Sequence, residues 1–324
     1  MNKPIVVVGS INMDLVARVK AIPLPGQTVT GLGFETTPGG KGANQAVGAS
    51  RLGVPVKMVG KVGEDVFGQA LLDNLAKADV GVWAVERCQG PSGVALIEVA
   101  ESGENSIVVV PGANGKVDCA YVDSNAELIR GAGMVLLQLE TPMATIGHVL
   151  EICAGANVPV MLDPAPAASL PDDAWKRIAW FTPNETEAAF YLGGATDTEA
   201  AAKELLAKGV RGVVLKRGAE GAYVATSDAS HVATQWHGAP GSAGEVHGRW
   251  VPAFKVEAVD TVGAGDCFNG AFAVALMEGE DPWRAARFAS AAAAISVTRR
   301  GAQASMPTRA EVDEFLRHGE PAAE

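Results

Sequence analysis

Met134-Val135-Leu136-Leu137-Gln138-Leu139 and Val160-Met161-Leu162 bracket a helical stretch over 142–155, and this strand–helix–strand unit decides the fold. Both runs are short and apolar without strict alternation, as in strands covered on both faces. The same rhythm recurs on either side. Further strands are expected over 5–9, 56–59, 180–181 and 212–216. Helices are expected over 42–52, 66–79, 119–131, 184–192, 197–208, 266–278, 282–298 and 309–317. The pattern predicts an α/β fold, a doubly wound and mostly parallel sheet with helices on both faces and ligands at the carboxyl ends of the strands.

Two segments break the rhythm, 14–34 and 94–110, the second holding the turn Glu101-Ser102-Gly103-Glu104-Asn105. They read either as surface hairpins or as one small antiparallel sheet projecting as a lid, within about 12–37 and 93–111. A lid would exclude water from a phosphoryl transfer. The glycine-rich stretch 235–249 reads as an exposed loop, and the residues after Phe315 as a frayed tail.

The 324 residues can bury a large core as one α/β domain or two smaller ones. With 48% hydrophobic and 19% charged residues, the composition is that of a folded globule. A formal charge of −11 without a Lys/Arg cluster argues against nucleic acid as a partner. An anionic ligand must then be held by local groups such as oriented N–H donors. Cys88, Cys119, Cys153 and Cys267 are widely spaced, without CxxC, which suits a reducing cytoplasm and neither disulfides nor zinc. Met1-Asn2-Lys3-Pro4 runs straight into the first strand, leaving no room for a signal peptide, and no apolar run is long enough for a membrane span.

Five motifs, with Glu140 beside them, could carry chemistry. Thr261-Val262-Gly263-Ala264-Gly265-Asp266 opens an apolar helix. Its N–H groups and the helix dipole could hold an anion while Asp266 takes a proton from an attacking hydroxyl; alternatively Asp266 only caps the helix. It is neither a Walker A loop nor a Rossmann fingerprint. Pro38-Gly39-Gly40-Lys41-Gly42-Ala43-Asn44-Gln45 is either a tight turn or a close backbone approach to a polyol, with Lys41 and Asn44 one turn apart. Gly9-Ser10-Ile11-Asn12-Met13-Asp14 sets Asn12 and Asp14 on one face of an extended segment, for a ligand or an Asx turn. Glu140 similarly ends a buried strand and could bind a hydroxyl or cap the next helix. Thr182-Pro183-Asn184-Glu185-Thr186-Glu187 fits a helix N-terminus, where Asn184 caps or stands with Glu187 near Mg²⁺ and phosphate. Lys216-Arg217-Gly218-Ala219-Glu220-Gly221 either receives a nucleotide or turns between strands.

Gly39–Asn44 and the run Asp260–Asp266 resemble the two signatures of the ribokinase-like carbohydrate kinase family. Segments 9–14, 137–140, 163–167, 182–187 and 298–303 also resemble that family, in its order, over nearly the whole chain. The resemblance implies a single kinase domain over 1–324 and ATP-dependent phosphorylation of D-ribose at its 5-hydroxyl. It implies sugar binding by Asn12, Asp14, Gly40, Lys41, Asn44 and Glu140, with Asp266 as base and Gly263, Ala264 and Gly265 as anion hole. Asn184, Lys216, Gly218, Gly221, Gly265 and Ser290 would line the ATP/ADP site, and Glu187 would help to organise Mg²⁺. A K⁺ site would involve Asp260, Val262, Ser296, Arg299, Gly301 and Ser305, and a homodimer would form through the lid. Two features depart from the family: segment 235–249 is longer, and position 216 holds lysine where a threonine-like residue is common. Fructose or 2-deoxyribose as substrate and a non-catalytic sugar sensor are the competing readings. Retention of Asp266 and its glycines speaks against the sensor.

Overall fold

The computed structural model describes residues 3–194, 197–227 and 246–318. Its strands are β1 (Ile5–Val8), β2 (Asn12–Val19), β3 (Gly33–Gly39), β4 (Val56–Gly63), β5 (Val80–Cys88), β6 (Gly93–Ala100) and β7 (Asn105–Val110). They continue with β8 (Met134–Leu137), β9 (Val160–Leu162), β10 (Trp180–Phe181), β11 (Gly212–Lys216), β12 (Gly221–Thr226) and β13 (His247–Pro252). Nine form one sheet in the order β13-β12-β11-β10-β9-β8-β1-β4-β5, parallel from β11 through to β5 and antiparallel among β11, β12 and β13. The doubly wound, mostly parallel expectation holds.

Alternate side chains explain why both faces are covered. Ile5 and Val7 enter one core with Met134 and Leu136, while Val6 and Val8 enter the other with Val135 and Leu137. The first core lies under the helices Lys41–Arg51, Ala264–Met277 and Pro282–Val297. The second lies under Met143–Ala156 and Thr198–Ala207. The chain builds outward from β1 to β4 and β5, then returns to β8 on β1's other side. The resulting crevice between β1 and β8 is where a ligand has room at the strands' carboxyl ends.

The projecting segments do form a sheet of their own, ordered β3-β2-β6-β7. It is mixed and not antiparallel as expected: β2 pairs β6 in parallel, and only the outer pairs are antiparallel. The hairpin partners β2–β3 and β6–β7 reverse locally, whereas β2 and β6 are joined through the main sheet, a connection long enough for parallel pairing. Other boundaries also differ. Helix 119–131 is two helices, Cys119–Ser124 and Ala126–Arg130, interrupted at Asn125, whose Nδ2 donates to the Tyr121 carbonyl. Residues 247–249 of the expected loop belong to β13, and 235–245 lie outside the described residues. The last helix, Arg309–His318, runs past Phe315.

Candidate active site

Asp266 sits in the first turn of the helix Ala264–Met277 and is almost wholly buried. Gly263 precedes this helix with φ 74°, a left-handed conformation that suits glycine and turns the chain sharply into the helix. The Ala264 N–H donates back to the Thr261 carbonyl at 3.2 Å. That bond engages the Ala264 N–H, whereas the N–H groups of Gly265 and Asp266 lie in the first turn, where a helix has no carbonyl of its own to offer them.

Two amides hold the Asp266 carboxylate. Asn44 Nδ2 donates to Oδ2 at 2.9 Å, and Gln45 Nε2 donates to Oδ1 at 3.2 Å. Each amide is oriented in turn. Gln303 Nε2 donates to Asn44 Oδ1 at 3.0 Å, and Gln138 Nε2 donates to Gln45 Oε1 at 2.7 Å. With its oxygen occupied as an acceptor, each side chain presents nitrogen to the carboxylate. Burial raises the pKa of Asp266, opposed by Lys41 and the two amides. At Lys41 burial works against the charge, but Asp266, Asp163, Glu140 and Glu187 together outweigh it and raise the pKa.

The other expected sugar-side residues converge here. Gly40 has φ 87°, and a Cβ there would stand 2.6 Å from the Asn12 backbone nitrogen, so the β3-to-helix turn presses against the start of β2. Glu140 accepts from the Lys41 N–H at 3.1 Å and from the Ser10 hydroxyl, tying the end of β8 to the Gly-Gly-Lys turn. Asp14 is buried nearby, its pKa pushed up to about 7 by burial and by the charges of Glu140 and Asp266. Asn114 was not singled out by sequence; its Nδ2 donates to Asn12 Oδ1 at 2.6 Å and its Oδ1 accepts from the Ile11 N–H at 2.9 Å.

On the far side of Asp266 a cleft of about 290 Å³ opens, lined by Lys216, Gly218, Gly221, Gly265, Phe254 and Ser290 among others. Its mainly apolar walls suit a flat heterocycle, and Gly265 carries it to the start of the helix. Asn184 and Glu187 do not line this cleft. They form a capping box at the helix Glu185–Leu192, with the Asn184 N–H donating to Glu187 Oε2 at 2.8 Å. They remain close, because Asn184 bridges Lys216 along the backbone and burial raises the Glu187 pKa against the charge of Lys216. The turn at Gly218–Glu220 joins antiparallel β11 and β12, as the strand-to-strand reading of that segment expects.

Asp260 accepts from the Val262 N–H at 3.0 Å and the Gly301 N–H at 2.8 Å, drawing the 260–263 turn to the 299–301 turn. The Arg299 side chain turns to Glu311 at 2.6 Å, and the hydroxyls of Ser296 and Ser305 donate to carbonyls of their own helices. From Arg299, only a backbone oxygen remains for a cation at this place. Like Asn114, the residues Asp163, Gln45, Gln138 and Gln303 bear on the site although sequence reading assigned them no role. Asp163 ends a buried strand as Glu140 does, and that signal could have found it.

Comparison with known proteins accords with this geometry. The family model described as pfkB family carbohydrate kinase matches residues 2–309. The chain is 44% identical to the ribokinase of Bacillus subtilis, over 96% of this chain and 99% of that protein. It is 36% identical to the deoxyribokinase of Salmonella typhi, over 96% and 98%. It superposes with TM-score 0.85 on the structure of Arabidopsis thaliana ribokinase complexed with ribose and ATP, at 34% identity, covering 98% of this chain and 99% of that one. With a buried carboxylate at a glycine-led helix start, polar groups on one side and an apolar cleft on the other, the chain belongs to the pfkB family of carbohydrate kinases.

Proposed function

We propose that the chain transfers the γ-phosphoryl group of ATP to the 5-hydroxyl of D-ribose. One observation carries this reading: Asp266 is buried and held by two amides, between the polar set of Asn12, Asp14, Lys41, Asn44 and Glu140 and the apolar cleft that ends at Gly265. A hydroxyl lying against Asp266 loses its proton to that carboxylate as its oxygen attacks phosphorus. Gly40, with the polar set, orients the sugar. The N–H groups of Gly265 and Asp266, in the Gly263-Ala264-Gly265 turn, receive the developing charge. The nucleotide base lies against Gly218, Gly221 and Ser290. The kinase is a single functional unit over 1–324, with β2, β3, β6 and β7 as its lid.

The donor set fits the accompanying ions. No group of three or more His, Cys, Asp or Glu side chains among the described residues could cage a metal, so Mg²⁺ would be held by phosphates, water and one or two carboxylates, of which Glu187 is the best placed. It would neutralise phosphate charge. Both oxygens of Asp260 face backbone N–H groups across the turn, and with carbonyls of Val262, Arg299 and Gly301 and the hydroxyls of Ser296 and Ser305 they offer the hard oxygens K⁺ takes. The cytoplasm is the proposed compartment, in keeping with four free cysteines. Among the described residues, no helix is long and apolar enough to cross a membrane.

The test is ADP formation with ribose, 2-deoxyribose and fructose, with and without K⁺, for the wild type and Asp266→Asn. Ribose should give the highest kcat/KM, K⁺ should raise turnover, and Asp266→Asn should lower kcat by roughly 10²–10⁴ with ATP binding retained. Preference for 2-deoxyribose or fructose would refute the sugar assignment, and near-normal turnover by Asp266→Asn would refute the base.

A further inference from the structure

Lys216 lines the cleft and reaches Asp163 beyond its wall. Its Nζ lies 2.9 Å from Asp163 Oδ1 and 3.6 Å from where a Cβ on Gly265 would stand, beside the opening turn of the helix Ala264–Met277. The other Asp163 oxygen accepts from Gln45 Nε2 at 3.0 Å, and that same nitrogen donates to Asp266. Lys216, Asp163, Gln45 and Asp266 thus form one continuous line from the nucleotide cleft to the base. The ion pair is well shielded, with side-chain exposures of 15% for Lys216 and 3% for Asp163. An ammonium has three donors, and Asp163 is the acceptor for one of them, which leaves two for an anion at the cleft.

We propose that Lys216 is a catalytic residue, whose ammonium, tethered by Asp163, contacts the β- and γ-phosphate oxygens during transfer. The inference rests on the kinase reading above. In the step, the bond between the γ-phosphorus and the β–γ bridging oxygen breaks, and its electron pair stays on the ADP oxygen. The bond from the sugar oxygen to phosphorus forms, and the sugar proton passes to Asp266. Lys216 keeps its protons and neutralises charge on the leaving oxygen, a role for which a hydroxyl side chain at this position would offer one uncharged donor. The tether matters because a lysine stem is flexible and its charge strongly hydrated. Held at Asp163, it stands at the phosphates without reorganising.

The opposing reading is that Lys216 only neutralises buried Asp163. Adenosine and ADP binding by calorimetry, together with steady-state kinetics on the full chain, separates the two. Lys216→Met should bind adenosine as the wild type does and ADP roughly 10–100-fold more weakly. Its kcat should fall by about 10²–10³, with little change in the KM for sugar, and Lys216→Arg should recover much of the ADP affinity. The double variant Lys216→Met/Asp163→Asn carries no unpaired buried charge, so it keeps the test open if the single variant does not fold. Under the proposal the double variant stays defective toward ADP. Undiminished ADP affinity in Lys216→Met, or restored turnover in the double variant, would overturn it. A wild type that phosphorylates no sugar would instead defeat the kinase reading, whatever Lys216 does to ADP.

Discussion

At the scale of single residues, the site is a set of charges kept apart by amides. Asp14, Asp163, Glu140 and Asp266 would repel one another, and Lys41 and Lys216 sit among them as counter-charges. Asp14 bears the clearest consequence. Burial, then Glu140 and Asp266, raise its pKa from 3.8 to about 7, so between those values the folded chain holds a proton that the unfolded chain has released. Stability therefore falls as pH rises through that window and levels off above it. Asp14→Asn removes this penalty. It should be more stable than the wild type at pH 8, by roughly 1–4 kcal/mol, with the gain fading as pH approaches 4, and its affinity for sugar should drop. Urea unfolding at several pH values checks this; a difference independent of pH would refute it. Asp14 and Asp266 were legible in the sequence because a strand end or a glycine turn marks them. Gln45, Gln138 and Gln303 were not, since an amide that orients another amide leaves no local pattern.

At the scale of elements, the helix carrying Asp266 is set by how closely it meets the helix carrying its two amides. A Cβ on Gly270 would stand 2.9 Å from the Gln45 carbonyl oxygen and 3.0 Å from the Ala49 nitrogen, both backbone atoms that cannot swing aside. Gly270→Ala should push the helices Lys41–Arg51 and Ala264–Met277 apart. The expected cost is about 1–3 kcal/mol, and kcat should fall because Asp266, one turn earlier, shifts against Asn44 and Gln45. Gly147 is the control. It lies inside the helix Met143–Ala156, and a Cβ there would meet nothing within 4 Å. Gly147→Ala should stabilise the fold by roughly 0.5–1 kcal/mol with turnover unchanged. Thermal melts and kcat for the pair decide the matter, and equal effects would refute the close-contact argument. Most helices were readable nearly to their ends because caps and glycines punctuate them, but the break at Asn125 and the short helix Ala302–Ser305 were not. β5 escaped because its burial alternates irregularly along an edge of the sheet, and the parallel β2–β6 pairing escaped because it joins residues far apart in the chain.

At the scale of the whole molecule, the small sheet exposes apolar side chains that the main body does not cover. Its register sets Asp14, Ala95 and Val109 in one row and Val16, Ile97 and Ile107 in the next, all on the face that carries Asp14. Ile107 and Val109 are 52% and 45% exposed, and β7, the outer strand, is exposed along its whole length. A bare apolar edge strand invites pairing with another chain unless something occupies it. A second copy is the occupant we propose, because each copy brings the same sheet, and a two-fold contact lets one patch satisfy the other. Ile107→Glu/Val109→Glu puts like charges opposite one another at such a contact while leaving both cores of the main sheet untouched. Sedimentation at micromolar concentration should then show a dimer for the wild type and a monomer for the double variant. The KM for sugar should rise in the variant, since a lid without its partner closes less readily over the Asp14 face. A monomeric wild type would dismiss the dimer outright. A dimer that survives the two glutamates would move the contact away from the lid.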